Sequence, residues 1–238
     1  MVTMISDIGF RELNEDVVDY DINKNYSFYI VCDGVGGHNA GEIASKEAAE
    51  LIKNYLREYY SRSIAPHILE SAVQKANKEV FRIAKANDAY SGMGTTVTCA
   101  LDAGGEIYVA HAGDTVAYIL KDGRIAKLTR DHTMVQDMVD SGAITEEEKL
   151  THTSRNIITR SLGTKEELRV DIMEIEKSQV DYMLLCTDGL SDYVSPEEIL
   201  EGHLKEPDKQ KFAEDMVELA KQRGSRDNIS LLLFGGTK

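Results

Sequence analysis

Residues Tyr26 to Gly34 read YSFYIVCDG, a run of aromatic and β-branched side chains that stops abruptly at an aspartate and a glycine. Such a run is a buried strand. Val180 to Gly189 (VDYMLLCTDG) repeats the pattern: a second buried strand, again closed by Asp-Gly. A third, Ile229 to Phe234 (ISLLLF), follows Arg226-Asp227-Asn228. Between the first two, Gly94–Leu101, Glu106–His111, Thr115–Leu120 and Ile125–Leu128 form a meander of short strands. Its turns are Asp102-Ala103-Gly104-Gly105, Ala112-Gly113-Asp114 and Lys121-Asp122-Gly123-Arg124. Turns this short force antiparallel pairing, and Asp-Gly supplies the positive φ angles of a two-residue hairpin.

Helical periodicity surrounds these strands. Ala44, Ala48, Leu51, Ile52, Tyr55, Leu56 and Tyr59 recur at 3.6-residue spacing within Glu42–Tyr60, and Ile68, Ala72, Val73, Ala76, Val80, Phe81 and Ala84 do so within Pro66–Asn87. Each stretch has one apolar stripe, as a helix lying on a sheet requires. Short helices are expected at Thr133–Ser141 and near Ser154–Ser161. A capped helix starts at Ser195-Pro196-Glu197-Glu198, and an amphipathic helix spans Asp208–Arg223. Strands in hairpin succession with helices inserted in pairs give an α+β fold, antiparallel sheets covered by helices, and not βαβ alternation.

Composition narrows the function. A chain of 238 residues with 42% hydrophobic content and three prolines suits one compact domain, residues 1–238. Neither a signal peptide nor a run of about 20 apolar residues is present, so no membrane role is expected and a cytoplasmic location is. Cys32, Cys99 and Cys186 are scattered in apolar runs with no CxxC pair, which reads as buried free thiols. A net charge of -14 repels nucleic acid and leaves carboxylates available for cations.

Three of those carboxylates stand at ends of buried strands: Asp33, Asp188 and Asp227. Strand ends are rigid, and hard cations such as Mg²⁺ and Mn²⁺ prefer carboxylate, carbonyl and water oxygens. Gly34 lets the backbone approach closely enough for its own carbonyl to serve as a ligand. Asp-Gly is also ordinary turn chemistry, which is the reading for Asp122-Gly123 and, residue by residue, an alternative for Asp33, Asp188 and Asp114. Arg11 read alone is a surface arginine, and His111 a packed or hydrogen-bonded histidine.

Seven segments, in order, resemble the magnesium/manganese-dependent serine/threonine protein phosphatases, type 2C or PPM, in their compact bacterial form. They are Ser6–Arg11 with Asn14-Glu15-Asp16, Val31–His38, Gly92–Thr96, His111–Thr115, Thr129–Thr133, Cys186–Leu190 and Arg226–Ile229. The resemblance implies a four-layer α-β-β-α sandwich with two central, mainly antiparallel sheets flanked by helices. It implies two Mn²⁺ or Mg²⁺ ions at one edge, with a possible third. Asp33 would bridge both metals and the Gly34 carbonyl would bind one of them; Asp188 and Asp227 would bind the other. Asp16 and Glu15 would hold metal-bound waters, and Asp114 with Asp188 matches the third position. Arg11 matches the phosphate-binding arginine, a residue whose bidentate fork suits phosphate oxygens. His38 is the candidate general acid for the leaving alkoxide, the alternative being a solvent-facing histidine with a metal-bound or substrate water as the acid. Residues from about 137 to 163 correspond to the flap beside the active site.

The implied activity is hydrolysis of phosphoserine and phosphothreonine on proteins by attack of a metal-bridging water, opposing a bacterial serine/threonine kinase, by a monomer. The alternatives are a non-catalytic metal-binding regulatory member of the same fold and a nucleotide or small-molecule phosphatase. No Walker-type loop is present, because Asp33–Gly37 lacks a following Gly-Lys-Ser/Thr. One departure stands out: Thr115-Val116 replaces the Ser-Arg usual in the family after Gly-Asp.

Overall fold

The computed structural model describes residues 1–35 and 40–236. Its strands are β1 (Val2–Asp7), β2 (Asp16–Ile22), β3 (Ser27–Val35), β4 (Gly94–Thr95), β5 (Val97–Asp102), β6 (Glu106–Ala112), β7 (Val116–Lys121), β8 (Arg124–Lys127), β9 (Asp171–Glu176), β10 (Tyr182–Cys186) and β11 (Ile229–Gly235). The helices are α1 (Gly41–Tyr59), α2 (Ala65–Ala86), α3 (Met134–Asp140), α4 (Glu146–Thr151), α5 (Asp188–Ser191), α6 (Pro196–Lys205) and α7 (Lys209–Gln222). One sheet has the order β1-β11-β10-β7-β8. The other has β2-β3-β5-β6-β9, with β4 added to β3. All pairings are antiparallel.

Three apolar layers follow from strand periodicity. In β3, Phe28, Ile30 and Cys32 face α1 and α2, while Tyr29 and Val31 face the opposite sheet. In β10, Leu184 and Cys186 face α6 and α7, and Met183 and Leu185 face inward. Leu231 and Leu232 of β11 divide in the same way. Adjacent residues of a strand point to opposite faces, so a strand covered on both sides reads as an unbroken apolar run. The two sheets meet through side chains such as Tyr29 and Phe234, stacked with ring centroids 3.7 Å apart. The α-β-β-α sandwich is therefore present as expected.

The hairpin at Asp122-Gly123 has both residues at positive φ, 49° and 69°, as a two-residue turn requires. Ser195 and Glu198 form a reciprocal capping box on α6. The three cysteines are free and buried. Among the described residues no helix is long and apolar enough to cross a membrane.

The expected helix near Ser154–Ser161 is absent. That stretch is irregular because its backbone bonds sideways: Ile157 accepts from Met134 N–H at 2.8 Å, Thr159 N–H donates to His132 at 2.8 Å, and Ile158 forms a bridge with Thr133. Strands β1, β2 and β9 and helix α4 also carry no signature among the expected elements. β2 (DVVDYDI) and β9 (DIMEIE) are half-exposed and acidic, and α4 (EEEKLT) has almost no apolar face.

Candidate active site

The acidic residues converge on one end of the sandwich. Asp33 lies near the end of β3, and sheet pairing sets it directly opposite Asp16, the first residue of β2. Asp188 starts α5 immediately after β10, Asp227 precedes β11, and Asp114 lies in the turn between β6 and β7. The strands enter this end from both sheets, so residues up to 211 positions apart in sequence become neighbours.

Electrostatics identify Asp33 as the centre. Burial first, and then the carboxylates of Asp16, Asp188, Asp114 and Asp227, push its acid well above the usual range. Asp188 is likewise pushed well up by burial and then by Asp114, Asp192, Asp227 and Asp16. Asp16 rises to about 7 through burial, despite hydrogen bonds that favour its ionised form, including one donated by the Thr187 hydroxyl at 3.0 Å. Asp114 also rises to about 7, from burial and then Asp131.

Backbone and hydroxyl contacts hold the centre in place. The Asp33 N–H donates to Thr96 Oγ1 at 2.9 Å, and the Asp33 carbonyl accepts from Thr95 Oγ1 and from the Thr96 N–H. Gly34 N–H donates to the Glu15 carbonyl at 3.1 Å. A Cβ on Gly34 would lie 2.4 Å from the Gly41 carbonyl oxygen, so only glycine fits where β3 meets the start of α1.

Arg11 sits in the loop between β1 and β2, and its guanidinium donates to Asp227 Oδ2 at 2.7 Å. The loop is pinned by Asn228, which sequence reasoning quoted within a motif but gave no role. Its amide accepts from Glu15 N–H at 2.8 Å and donates to the carbonyls of Ile8 at 2.9 Å and Leu13 at 3.0 Å. Gly9 reinforces this contact, with φ at 59° and its α-carbon too close to the Asp227 carbonyl for any side chain. Thr96 and Thr187 are further supports whose role only the fold reveals. His111 is buried between the Thr98 hydroxyl and the Arg130 carbonyl, as a packed histidine. His38 lies outside the described residues.

The residues fit hard cations. Asp114 Oδ1 is buried without a hydrogen-bond partner among the described residues, and the gathered donors are all oxygens. Among those residues no group of three or more Asp, Glu, His or Cys side chains is arranged as it stands to hold a metal ion. Asp227 is instead turned to Arg11. Crowded, mutually raised carboxylates of this kind become fully ionised when a cation compensates them.

Two cavities open beside the acids. One, of about 360 Å³, is lined by Asp114, Asp188, Lys127, Asp131 and Lys149, with buried Val116 where the family usually has arginine. The other, of about 200 Å³, contains Arg11, Asp188 and Asp227.

Comparison with known proteins agrees with this geometry. The family model described as protein phosphatase 2C matches residues 7–233. The chain is 34% identical to the serine/threonine phosphatase stp of Listeria welshimeri, over 94% of this chain and 90% of that one. It is 36% identical to the serine/threonine protein phosphatase PstP of Mycobacterium tuberculosis, over 96% of this chain and 43% of that longer one. The crystal structure of serine/threonine phosphatase Stp1 from Staphylococcus aureus superposes with a TM-score of 0.92 at 34% identity, covering 98% of this chain and 93% of the other.

Proposed function

Because the chain belongs to the protein phosphatase 2C family, we propose that the acidic end of its sandwich, centred on Asp33, is the catalytic centre. The chain is a protein serine/threonine phosphatase, acting on phosphoproteins, in a family that is metal-dependent as a rule. The observation that carries the site is the position of Asp33, whose acid feels Asp16, Asp188, Asp114 and Asp227 at once.

Asp33 and the Gly34 carbonyl would hold one Mn²⁺ or Mg²⁺ ion, and Asp33, Asp188 and Asp227 a second. Asp16 and Glu15 would hold the waters around them, and Asp114 with Asp188 a third ion. Such ions, when bound, neutralise the phosphate dianion and activate water for in-line attack. Arg11 grips the non-bridging phosphate oxygens, which requires its guanidinium to exchange Asp227 for substrate. Asn228 keeps the Arg11 loop seated while that exchange occurs. His38 would protonate the leaving serine or threonine oxygen.

We further read residues 1–238 as one catalytic domain, with the flap at about 137–163 beside the site. We read the protein as a cytoplasmic monomer opposing a serine/threonine kinase.

Asp33→Ala tests the site. With Mn²⁺ present, turnover of nitrophenyl phosphate and of a phosphothreonine peptide should fall by more than about 100-fold, because even supporting residues of metal sites are worth 10- to 100-fold. Calorimetric Mn²⁺ binding should weaken with it. Near-normal turnover with unchanged Mn²⁺ affinity overturns the assignment.

A further inference from the structure

The smaller cavity beside the site, about 200 Å³, is bordered by three arginines from three distant segments: Arg11 after β1, Arg155 in the flap after α4, and Arg226 before β11. Their commitments differ. Arg11 is paired with Asp227 at 2.7 Å. Arg155 donates to the Leu150 carbonyl at 3.2 Å and has no ion pair among the described residues, although its charge offsets part of the rise that burial gives the acid of Asp192. The Arg226 guanidinium has neither a hydrogen bond nor an ion pair among the described residues. Three acids share this cavity: Asp227 answers Arg11, Asp188 belongs to the catalytic cluster, and Asp192 feels chiefly the charge of Arg155.

The larger cavity provides the contrast. Its two lysines, Lys127 and Lys149, both close on Asp131, at 2.6 and 3.0 Å, and are neutralised within the protein. Arg155 borders both cavities, and it meets Arg226 only on the Arg11 side of the centre. Each carries five N–H donors in a planar fork suited to phosphate. On a chain of net charge -14, which repels phosphoproteins as a whole, such a spot is where a second anion on the substrate finds local compensation.

We propose that Arg155 and Arg226 form a subsite for a second phosphate on the substrate, so that the enzyme favours segments phosphorylated at two nearby residues. This rests on the catalytic reading of the Asp33 centre. A phosphorylated residue carries about -1.5 to -2 charges near neutral pH, against one for glutamate, so the subsite should discriminate between them.

The test uses phosphothreonine peptides whose second position, one to four residues to either side, holds threonine, glutamate or a non-hydrolysable phosphonate analogue of phosphothreonine. In the unaltered protein the phosphonate should lower KM about tenfold at its best spacing and leave kcat unchanged, the scale of one or two charge-assisted hydrogen bonds at a wet site. Arg155→Gln and Arg226→Gln should each lose part of that gain and the double variant all of it, while nitrophenyl phosphate turnover is unaffected. Equal KM for the threonine and phosphonate peptides, a gain that survives in the double variant, or a gain that glutamate matches overturns the subsite. Fluorescence anisotropy with a peptide bearing phosphonates at both positions requires no turnover. It reads the arginine dependence even if no phosphopeptide is hydrolysed, an outcome that overturns the catalytic reading alone.

Discussion

Asn228→Ala should be the most informative single truncation outside the acidic cluster. The side chain is buried and makes three hydrogen bonds that join the Arg11 loop to the start of β11: Glu15 N–H to its oxygen, and its amide to the Ile8 and Leu13 carbonyls. Each such bond is worth about 1 kcal/mol net, so the expected loss is about 3 kcal/mol, reduced toward about 2 where water reaches the freed loop groups. That is a large share of the roughly 5–15 kcal/mol that holds a domain together. The assay is urea unfolding in a chelator, so that bound cations add nothing to the native state. The midpoint should fall with an unchanged slope. The same loop carries Arg11, so KM for a phosphothreonine peptide should rise more than kcat falls. A loss below about 0.5 kcal/mol, within the range of ordinary surface changes, would refute the idea that this amide seats the loop.

Three further outcomes are expected. Burial, and then the charge of Lys209, lower the acid of the His203 ring to about 4. The unfolded chain therefore takes up a proton below about pH 6.5 that the folded chain refuses until about pH 4, and stability is lost as pH falls through that window, by about 1.4 kcal/mol per unit from this group. The ring packs against Tyr182 and Phe212 and its Nδ1 has no hydrogen-bond partner among the described residues, so His203→Phe should flatten the acid limb of a stability profile; an unchanged limb would rule His203 out as its source. Leu185→Ala empties a fully buried position between the sheets and should lower unfolding free energy by about 2–5 kcal/mol in urea titration. Ser195→Ala removes the capping box of α6 and should lower it by about 1 kcal/mol.

What could be read from the chain depended on how each element is buried. β3, β10 and β11 are covered on both faces and appear as continuous apolar runs, and α1 and α2 show one stripe each. β2, β9 and α4 lie where water reaches one side or most of the surface, so acidic residues break the pattern and the elements form through pairing with neighbours. Residues 154–161 fail as a helix because the same backbone groups find partners in the segment around His132 and Met134, a competition with no local signature.

The site divides along the same line. Local chemistry by itself determined that Asp33, Asp188 and Asp227 terminate or introduce rigid strands. Only tertiary structure decided that Asp16 faces Asp33 across a sheet, that Arg11 pairs with Asp227 over 216 positions of sequence, and that Asn228 fastens the loop between them. Strand periodicity is set by the geometry of one chain segment. Which carboxylates meet is set by register and by the packing of two sheets, and neither is encoded within any stretch short enough to be read on its own.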